Sequence, residues 1–280
     1  VTRPAVAPKK SLGQHFLHDA QVLAKIASLA RPPAGSGIVE VGPGTGNLTA
    51  HLLDQLPRDG GGQAPLWLVE VDRRVPEVLA ERFGACFGLL MGDAATIDWT
   101  ALLAEPRLGP APVVVGNLPY YAALPIVFAL VDLPQPPSAI VVMVQREVAD
   151  RMVAAPSTAD RGQVSVKLQL RAEVKTAFKV GRGAFQPPPQ VESAVVVIRP
   201  RTHPLWPLPP WPQASAWITD AFAMRRKTLV NSMQLSGRDG AAVRTALQEA
   251  GLDPAVRAEA IDNATWAALL RRLVGEPSAT

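Results

Sequence analysis

From about residue 20 to residue 150, short apolar runs alternate with stretches whose apolar side chains recur at helical spacing. Such alternation predicts repeated β-α units and therefore an α/β fold with a mostly parallel sheet. Strands are expected near 37–41, 66–71, 87–91, 112–116 and 139–145, with helices over 19–30, 46–56, 73–83, 122–131 and 146–154. Two more runs, 164–180 and 192–198, follow in succession, and the turn Pro187-Pro188-Pro189 precedes the second. They read as an antiparallel end to the sheet. Between 200 and 212 the chain becomes too proline-rich for the interior of a strand or helix. A boundary is expected there, between an α/β domain over 1–200 and a small all-helical domain over 201–280. Helical patterns alone continue over 213–234, 239–250, 254–260 and 263–273, with Gly251 as a C-cap and Asp253-Pro254 opening the next helix.

Composition narrows the setting. A 280-residue chain that is 48% hydrophobic can build one large core and a smaller one. Its formal charge is only +4, but the isoelectric point of about 9.5 allows a polyanionic partner. The single cysteine, Cys86, excludes an intramolecular disulfide and reads as a small buried apolar residue. Four scattered histidines show no metal-ligand spacing, so no metal is expected. No stretch approaches the roughly 20 apolar residues of a membrane span, and no hydrophobic leader core follows Lys9 and Lys10. These features predict a cytoplasmic protein without a membrane partner.

Chemistry concentrates where strands should end. Asn117-Leu118-Pro119-Tyr120 follows the apolar run Val113 to Gly116. An adenine amine is a poor nucleophile because its lone pair is delocalised into the ring, and acceptors aimed at its N–H bonds favour localising that pair on nitrogen. The Asn117 side-chain oxygen is one such acceptor. The Leu118 carbonyl is the other, since Pro119 biases residue 118 toward extended geometry. Tyr120 offers a flat face for a base. Preorganised acceptors placed where positive charge develops stabilise a transition state electrostatically, so no strong general base is required.

Val39-Glu40-Val41-Gly42-Pro43-Gly44-Thr45-Gly46 runs from a strand through a glycine turn into a helix. Its G-x-G-x-G spacing differs from the dinucleotide fingerprint and is weak alone, although glycine permits close approach of a ligand. Glu70 closes the second strand, where a carboxylate can accept from ribose hydroxyls. Gly92-Asp93-Ala94 follows the third, where a carboxylate can accept from an adenine amino group. Singly, Glu70 and Asp93 also read as solvent-facing loop carboxylates; in order along three strand ends they point to a ligand site.

Taken together, these motifs resemble the small-subunit rRNA adenine dimethyltransferases. The resemblance also rests on Lys9-Lys10-Ser11-Leu12-Gly13-Gln14-His15-Phe16-Leu17, on Gln145-Arg146-Glu147-Val148-Ala149-Asp150-Arg151 and on Phe185-Gln186-Pro187-Pro188-Pro189-Gln190-Val191-Glu192-Ser193. Arg225-Arg226-Lys227-Thr228-Leu229-Val230-Asn231-Ser232 extends it into the helical tail. It implies a Rossmann-like class I methyltransferase sheet and transfer of methyl groups from S-adenosylmethionine to N6 of two adjacent adenosines. The substrate implied is the terminal hairpin loop of small-subunit (16S) rRNA, free or in an immature subunit, bound by a monomer. By motif, His15, Leu17, Gly42, Glu70, Asp93 and Asn117 should contact the cofactor. Phe185 should face the target base opposite Tyr120, in keeping with the stacking of unpaired bases on aromatics. Three departures stand out: His15 where the family often has Asn, Leu124 where Ser or Thr is common, and Arg161-Gly162 where Tyr-Gly is common.

Lys9, Lys10, Arg146, Arg151, Arg225, Arg226 and Lys227 are the expected phosphate contacts. The bland reading makes Arg225-Arg226-Lys227 the solvated face of an amphipathic helix, Lys9-Lys10 a frayed tail and Phe185 a core aromatic. Three other functions compete. A nicotinamide-dependent oxidoreductase shares the fold type but leaves Asn117 to Tyr120 unexplained. Macrolide-resistance methyltransferases share the chemistry on large-subunit rRNA but differ at Gln145 to Arg151 and Arg225 to Ser232. A ribosome-assembly factor would bind the immature small subunit, with methylation secondary.

Overall fold

The structure, a computed structural model, describes residues 6, 7, 9, 14–58, 62–224 and 226–274. The chain forms two compact units: one runs up to Ala149 and resumes over Val174–Pro200, and the other joins Asp150–Glu173 to the chain from Arg201 on. The compositional change near residue 200 thus falls at one crossing between the units, while residues 150–173 group with the helices.

The first unit is organised by a seven-stranded sheet and a two-stranded ribbon. In chain order the strands are β1 (Phe16–Leu17), β2 (Ile38–Val41), β3 (Leu66–Glu70), β4 (Gly88–Met91), β5 (Val113–Asn117), β6 (Ala139–Gln145), β7 (Ala172–Val180), β8 (Phe185–Gln186) and β9 (Ser193–Pro200). The sheet order is β4-β3-β2-β5-β6-β9-β7. Pairings among β4, β3, β2, β5 and β6 are parallel, whereas β6 and β9 run antiparallel. Every residue of β2 is buried, as expected for a central parallel strand covered on both faces. Helices α1 (Ala20–Leu29), α2 (Asn47–Leu53), α3 (Val75–Phe83), α4 (Trp99–Leu103) and α5 (Ala123–Val131) connect the strands, and α6 (Arg146–Val153) leaves the end of β6. Asp19 starts α1 by accepting from the Gln21 and Val22 amides. The strand order turns back at β2 and β5, which places a topological switch point at their carboxyl ends.

The second unit holds α7 (Gln163–Arg171), α8 (Trp211–Ala221), α9 (Leu229–Leu235), α10 (Gly240–Glu249) and α11 (Asn263–Val274). Its core gathers Val166, Leu170, Ile218, Met233, Leu247 and the fully buried Trp266. Here the chain departs from the single strand expected over 164–180. The alternation Val164-Ser165-Val166-Lys167-Leu168-Gln169-Leu170 has period two, but Val166 and Leu170 are also four apart and pack together into a helical core. Tertiary burial selects the helix, and only Ala172–Val180 remains a strand. Likewise 213–234 is two helices, because the Thr228 side chain caps a new start at Leu229. Residues 254–260 hold only a turn of 3-10 helix, Ala258–Ala260.

Arg161 is buried in this unit. Its guanidinium donates to the Ala154 carbonyl (3.0 Å), Gln169 Oε1 (2.7 Å) and Asn263 Oδ1 (2.6 Å). Burial pulls its pKa down to about 10, opposed by the nearby Asp262 charge, so it remains cationic at neutral pH. Replacing it leaves Asn263 Oδ1 without its donor and the Ala154 carbonyl and Gln169 Oε1 with only their bonds from Gln169 Nε2 (3.0 Å) and Asn263 Nδ2 (3.1 Å). Arg161→Ala is expected to destabilise the helical unit by about 2–4 kcal/mol, measured as a fall in urea midpoint followed by a probe on Trp266. An unchanged midpoint would show that water satisfies those acceptors.

Candidate active site

Four strand ends line one pocket. Val41 closes β2 and Gly42 follows it, Glu70 closes β3, Gly92 and Asp93 follow β4, and Asn117 closes β5, so the parallel sheet brings together residues far apart in sequence. The pocket encloses about 830 Å³ of free space, part of it open to solvent. Gly42 adopts φ 66°, and a Cβ placed on it would meet nothing nearer than the Asn117 carbonyl at 3.9 Å. That space is open and Gly42 lines the pocket, so glycine here leaves room for a ligand against the backbone. At Gly44 (φ 53°) a Cβ would press on the Phe16 ring at 2.9 Å. That second glycine serves packing of the wall.

The wall is the segment 14–16, and Leu17 next to it is buried outside the pocket lining. β1 pairs with β8, setting Phe16 opposite Gln186 and Leu17 opposite Phe185. Asn47 Nδ2 donates to the Leu17 carbonyl (2.8 Å), and Gln14 Nε2 donates to Asp72 Oδ2 (3.2 Å). The buried Asp72 carboxylate also takes Arg74 Nε (2.9 Å) and Nη2 (2.6 Å), with Lys9 Nζ at 3.6 Å. Those Arg74 bonds hold its carboxyl far below the usual carboxylate range. Sequence reading gave Asp72 and Arg74 no role. The only available signal was an acidic residue two places beyond Glu70.

Asn117 Nδ2 donates to the His15 carbonyl (2.9 Å). A main-chain oxygen only accepts, so the amide orientation is settled and Oδ1 is left as an acceptor at the pocket. Leu118 and Pro119 line the same pocket. Among the described residues nothing donates to the Leu118 carbonyl, whereas the Pro119 carbonyl accepts from the Ala122 and Ala123 amides. Tyr120 is half-buried and its hydroxyl is hydrogen-bonded to the Ser193 side chain; burial pushes its pKa up, so the phenol stays neutral. The ring stacked on Tyr120 is His15, with centroids 6.0 Å apart and planes at 25°. Phe185 also lines the pocket but is only 4% exposed and belongs to the core cluster of the first unit.

Two carboxylates sit beneath the glycine turn. Glu70 Oε1 accepts from the Val71 and Asp72 amides (both 2.8 Å), and Oε2 from Gly44 (3.3 Å). Burial nevertheless raises its pKa, with those backbone bonds opposing. Glu40, on β2, is fully buried and accepts from Thr49 Oγ1 (2.6 Å). Burial pushes Glu40 up to about 8, with the Thr49 bond opposing and the Glu70 charge adding to the rise. Asp93 is exposed and caps its own turn by accepting from the Ala95 amide through Oδ1 (2.9 Å), leaving Oδ2 uncommitted among the described residues.

The expected phosphate contacts are scattered. Arg146 pairs with Glu192 at 2.7 Å, an exposed ion pair of the kind that contributes little to stability. Lys9 lies beside Asp72. Arg226 and Lys227 are exposed in the turn between α8 and α9 rather than on a helix face. Arg151 lies on α6. Arg225 and Lys10 lie outside the described residues.

Residues 6–273 match the protein family described as ribosomal RNA adenine dimethylase. The chain is 40% identical to a protein named Ribosomal RNA small subunit methyltransferase A from Anaeromyxobacter sp. strain K, across 95% of this chain and 93% of that relative. It is 36% identical to a protein of the same name from Pseudomonas putida, with 97% of each covered. A dimethyladenosine transferase from Plasmodium falciparum shares the fold at TM-score 0.73 and 22% identity, over 91% of this chain and 96% of that one. The 23S rRNA methyltransferase ErmE shares it at 0.67 and 24%, over 93% and 100%.

Glu40 generates a pH signature. With a folded pKa near 8 against an ordinary 4.5, the native state holds a proton that the unfolded chain has released between those values. Its contribution to stability is full below about pH 4.5 and is lost as pH rises toward 8, at up to about 1.4 kcal/mol per pH unit. Glu40→Gln is expected to remove that slope and to gain stability over the parent as pH rises. Denaturant midpoints at pH 5.5 and 8.5 for both proteins check it; parallel curves would place the titration elsewhere.

Proposed function

The chain belongs to the ribosomal RNA adenine dimethylase family, and from that premise we propose the roles its residues play. It is an S-adenosylmethionine-dependent methyltransferase that dimethylates adenines of small-subunit rRNA. The targets we propose are N6 atoms of two adjacent adenosines in the 3′-terminal hairpin loop, reached in an immature small subunit by a cytoplasmic monomer. Among the described residues no helix is long and apolar enough to cross a membrane.

The pocket fits the cofactor on its own chemistry. The Gly42 cradle admits a ligand that a side chain would exclude. Glu70 and Asp93 offer acceptors to a ligand carrying hydroxyl and amino donors, and the carboxylates suit a positive charge nearby. When bound, S-adenosylmethionine supplies a methyl group made electrophilic by its sulfonium. We assign Gly42, Glu70, Asp93, the Asn117 side and the backbone of His15 and Leu17 to holding it.

Asn117 and Leu118 act on the substrate amine. Asn117 Oδ1 and the Leu118 carbonyl accept its two N–H bonds, which draws the lone pair out of the ring and stabilises positive charge as it develops on nitrogen. Pro119 limits where that carbonyl points. Tyr120 gives the base its stacking face, and Phe185 shapes the opposite wall. The observation that carries this reading is the Asn117 amide, fixed nitrogen-outward by the His15 carbonyl at 2.9 Å. Arg146, Arg225, Arg226 and Lys227 we assign to rRNA phosphates.

The test is methyl transfer from labelled S-adenosylmethionine to undermethylated small subunits, with large subunits in parallel and nucleoside analysis of the product. Dimethyladenosine in small-subunit RNA alone is the expected result. Label in large-subunit RNA alone would move the chain to the resistance enzymes, and tight subunit binding without label would favour an assembly factor. Asn117→Ala should lower turnover at least about 100-fold, the scale of losing one oriented transition-state partner, while RNA affinity stays within about twofold. Tyr120→Ala should also weaken RNA capture, by about 1–3 kcal/mol of base stacking; an unchanged Michaelis constant for the subunit would remove Tyr120 from that role.

A further inference from the structure

His15 makes three contacts at once, two of them with residues that line the pocket. Its carbonyl accepts from Asn117 Nδ2, its ring stacks on Tyr120, and its Nδ1 lies 2.8 Å from the Pro187 carbonyl. A carbonyl cannot donate, so Nδ1 carries the proton and the imidazole donates to Pro187. His15 immediately precedes β1 and Pro187 immediately follows β8. The side-chain bond therefore adds one rung to the short β1–β8 ribbon, whose two residue pairs seat Phe185 in the pocket wall.

We infer that the His15 side chain is a positioning residue for the target adenine and not a cofactor contact: it backs one face of Tyr120 and ties that ring to the strand carrying Phe185. The inference rests on the proposed methyltransferase reading. A centroid separation of 6.0 Å is that of two rings in direct contact. No base fits between them, so the adenine is offered the other face of Tyr120. The ring is then fixed twice, by Ser193 at its hydroxyl and by His15 on its back. Asparagine, common at this position in the family that the motifs resemble, supplies a donor for Pro187 but no ring face. This chain thus gains a stiffer platform than that residue allows.

Three variants separate the bond from the stack. His15→Asn keeps a donor without the ring, His15→Phe keeps a ring without the donor, and His15→Ala removes both. Each is compared with the parent for the Michaelis constant of undermethylated small subunits, for calorimetric affinity toward S-adenosylmethionine and for the ratio of monomethyl to dimethyl product. His15→Ala and His15→Asn should raise the subunit constant about tenfold, the scale of one base–aromatic stack, and shift product toward monomethyladenosine. His15→Phe should recover most of both, and cofactor affinity should stay within about twofold in all three. A cofactor affinity that falls about tenfold at an unchanged subunit constant would return the side chain to the cofactor and overturn the inference. So would equal behaviour of His15→Phe and His15→Ala, and His15→Phe and His15→Asn decide the matter even where His15→Ala does not fold. A parent enzyme that leaves small-subunit RNA unlabelled sinks the parent reading instead, a result visible before any variant is made.

Discussion

The hydrogen bond from the Asn117 amide nitrogen to the His15 carbonyl is the constraint on which the pocket depends. With the amide reversed, two carbonyl-type oxygens would face each other, a repulsive contact, and the pocket would meet an N–H₂ donor in place of an acceptor. The bond holds only while Gln14–Leu17 stays in place, and that segment is fastened at Gln14 by Asp72, at His15 by Pro187 and at Leu17 by Asn47. Asp72, Pro187 and Asn47, none of which lines the pocket, thereby decide which atom of Asn117 is presented.

Carboxylates beneath the turn divide between holding the fold and serving the pocket. Glu70 spends three acceptor positions on backbone amides of two loops, leaving limited capacity for a ligand. Its replacement would loosen the glycine turn as well as the ligand site. Glu40 takes no part in the pocket lining shared by Glu70 and Asp93, and burial keeps it protonated at neutral pH. A second full charge under the turn would be costly beside Glu70, and the neutral acid avoids it.

The fold by itself does not choose the substrate. It is shared with a dimethyladenosine transferase and with a methyltransferase named for 23S rRNA, at similar overlap. Membership of the adenine dimethylase family rests instead on a match running from residue 6 to 273 and on near full-length relatives. The order of the pocket motifs therefore carries more information than the sheet that displays them.

The sequence by itself determined the parallel core, because continuous apolar runs bounded by glycine or acidic residues have few alternatives to buried strands; β2 to β6 lie within a residue or so of the expected positions. It also determined which residues gather at the strand ends, since a parallel sheet aligns those ends whatever the loops do: Gly42, Glu70, Asp93 and Asn117 share one pocket. Tertiary structure decided what local pattern leaves ambiguous. Residues 163–171 satisfy a two-residue period and a helical one, and burial of Val166 and Leu170 against α8 and its neighbours chose the helix. β1 and β8 have two residues each, too few for any periodicity, and exist because they pair with one another. The Asp72 clasp, the buried Arg161 and the stacking of His15 on Tyr120 join residues separated by long stretches of chain. Their partners are set by where the folded backbone brings them, and no spacing along the sequence records that distance.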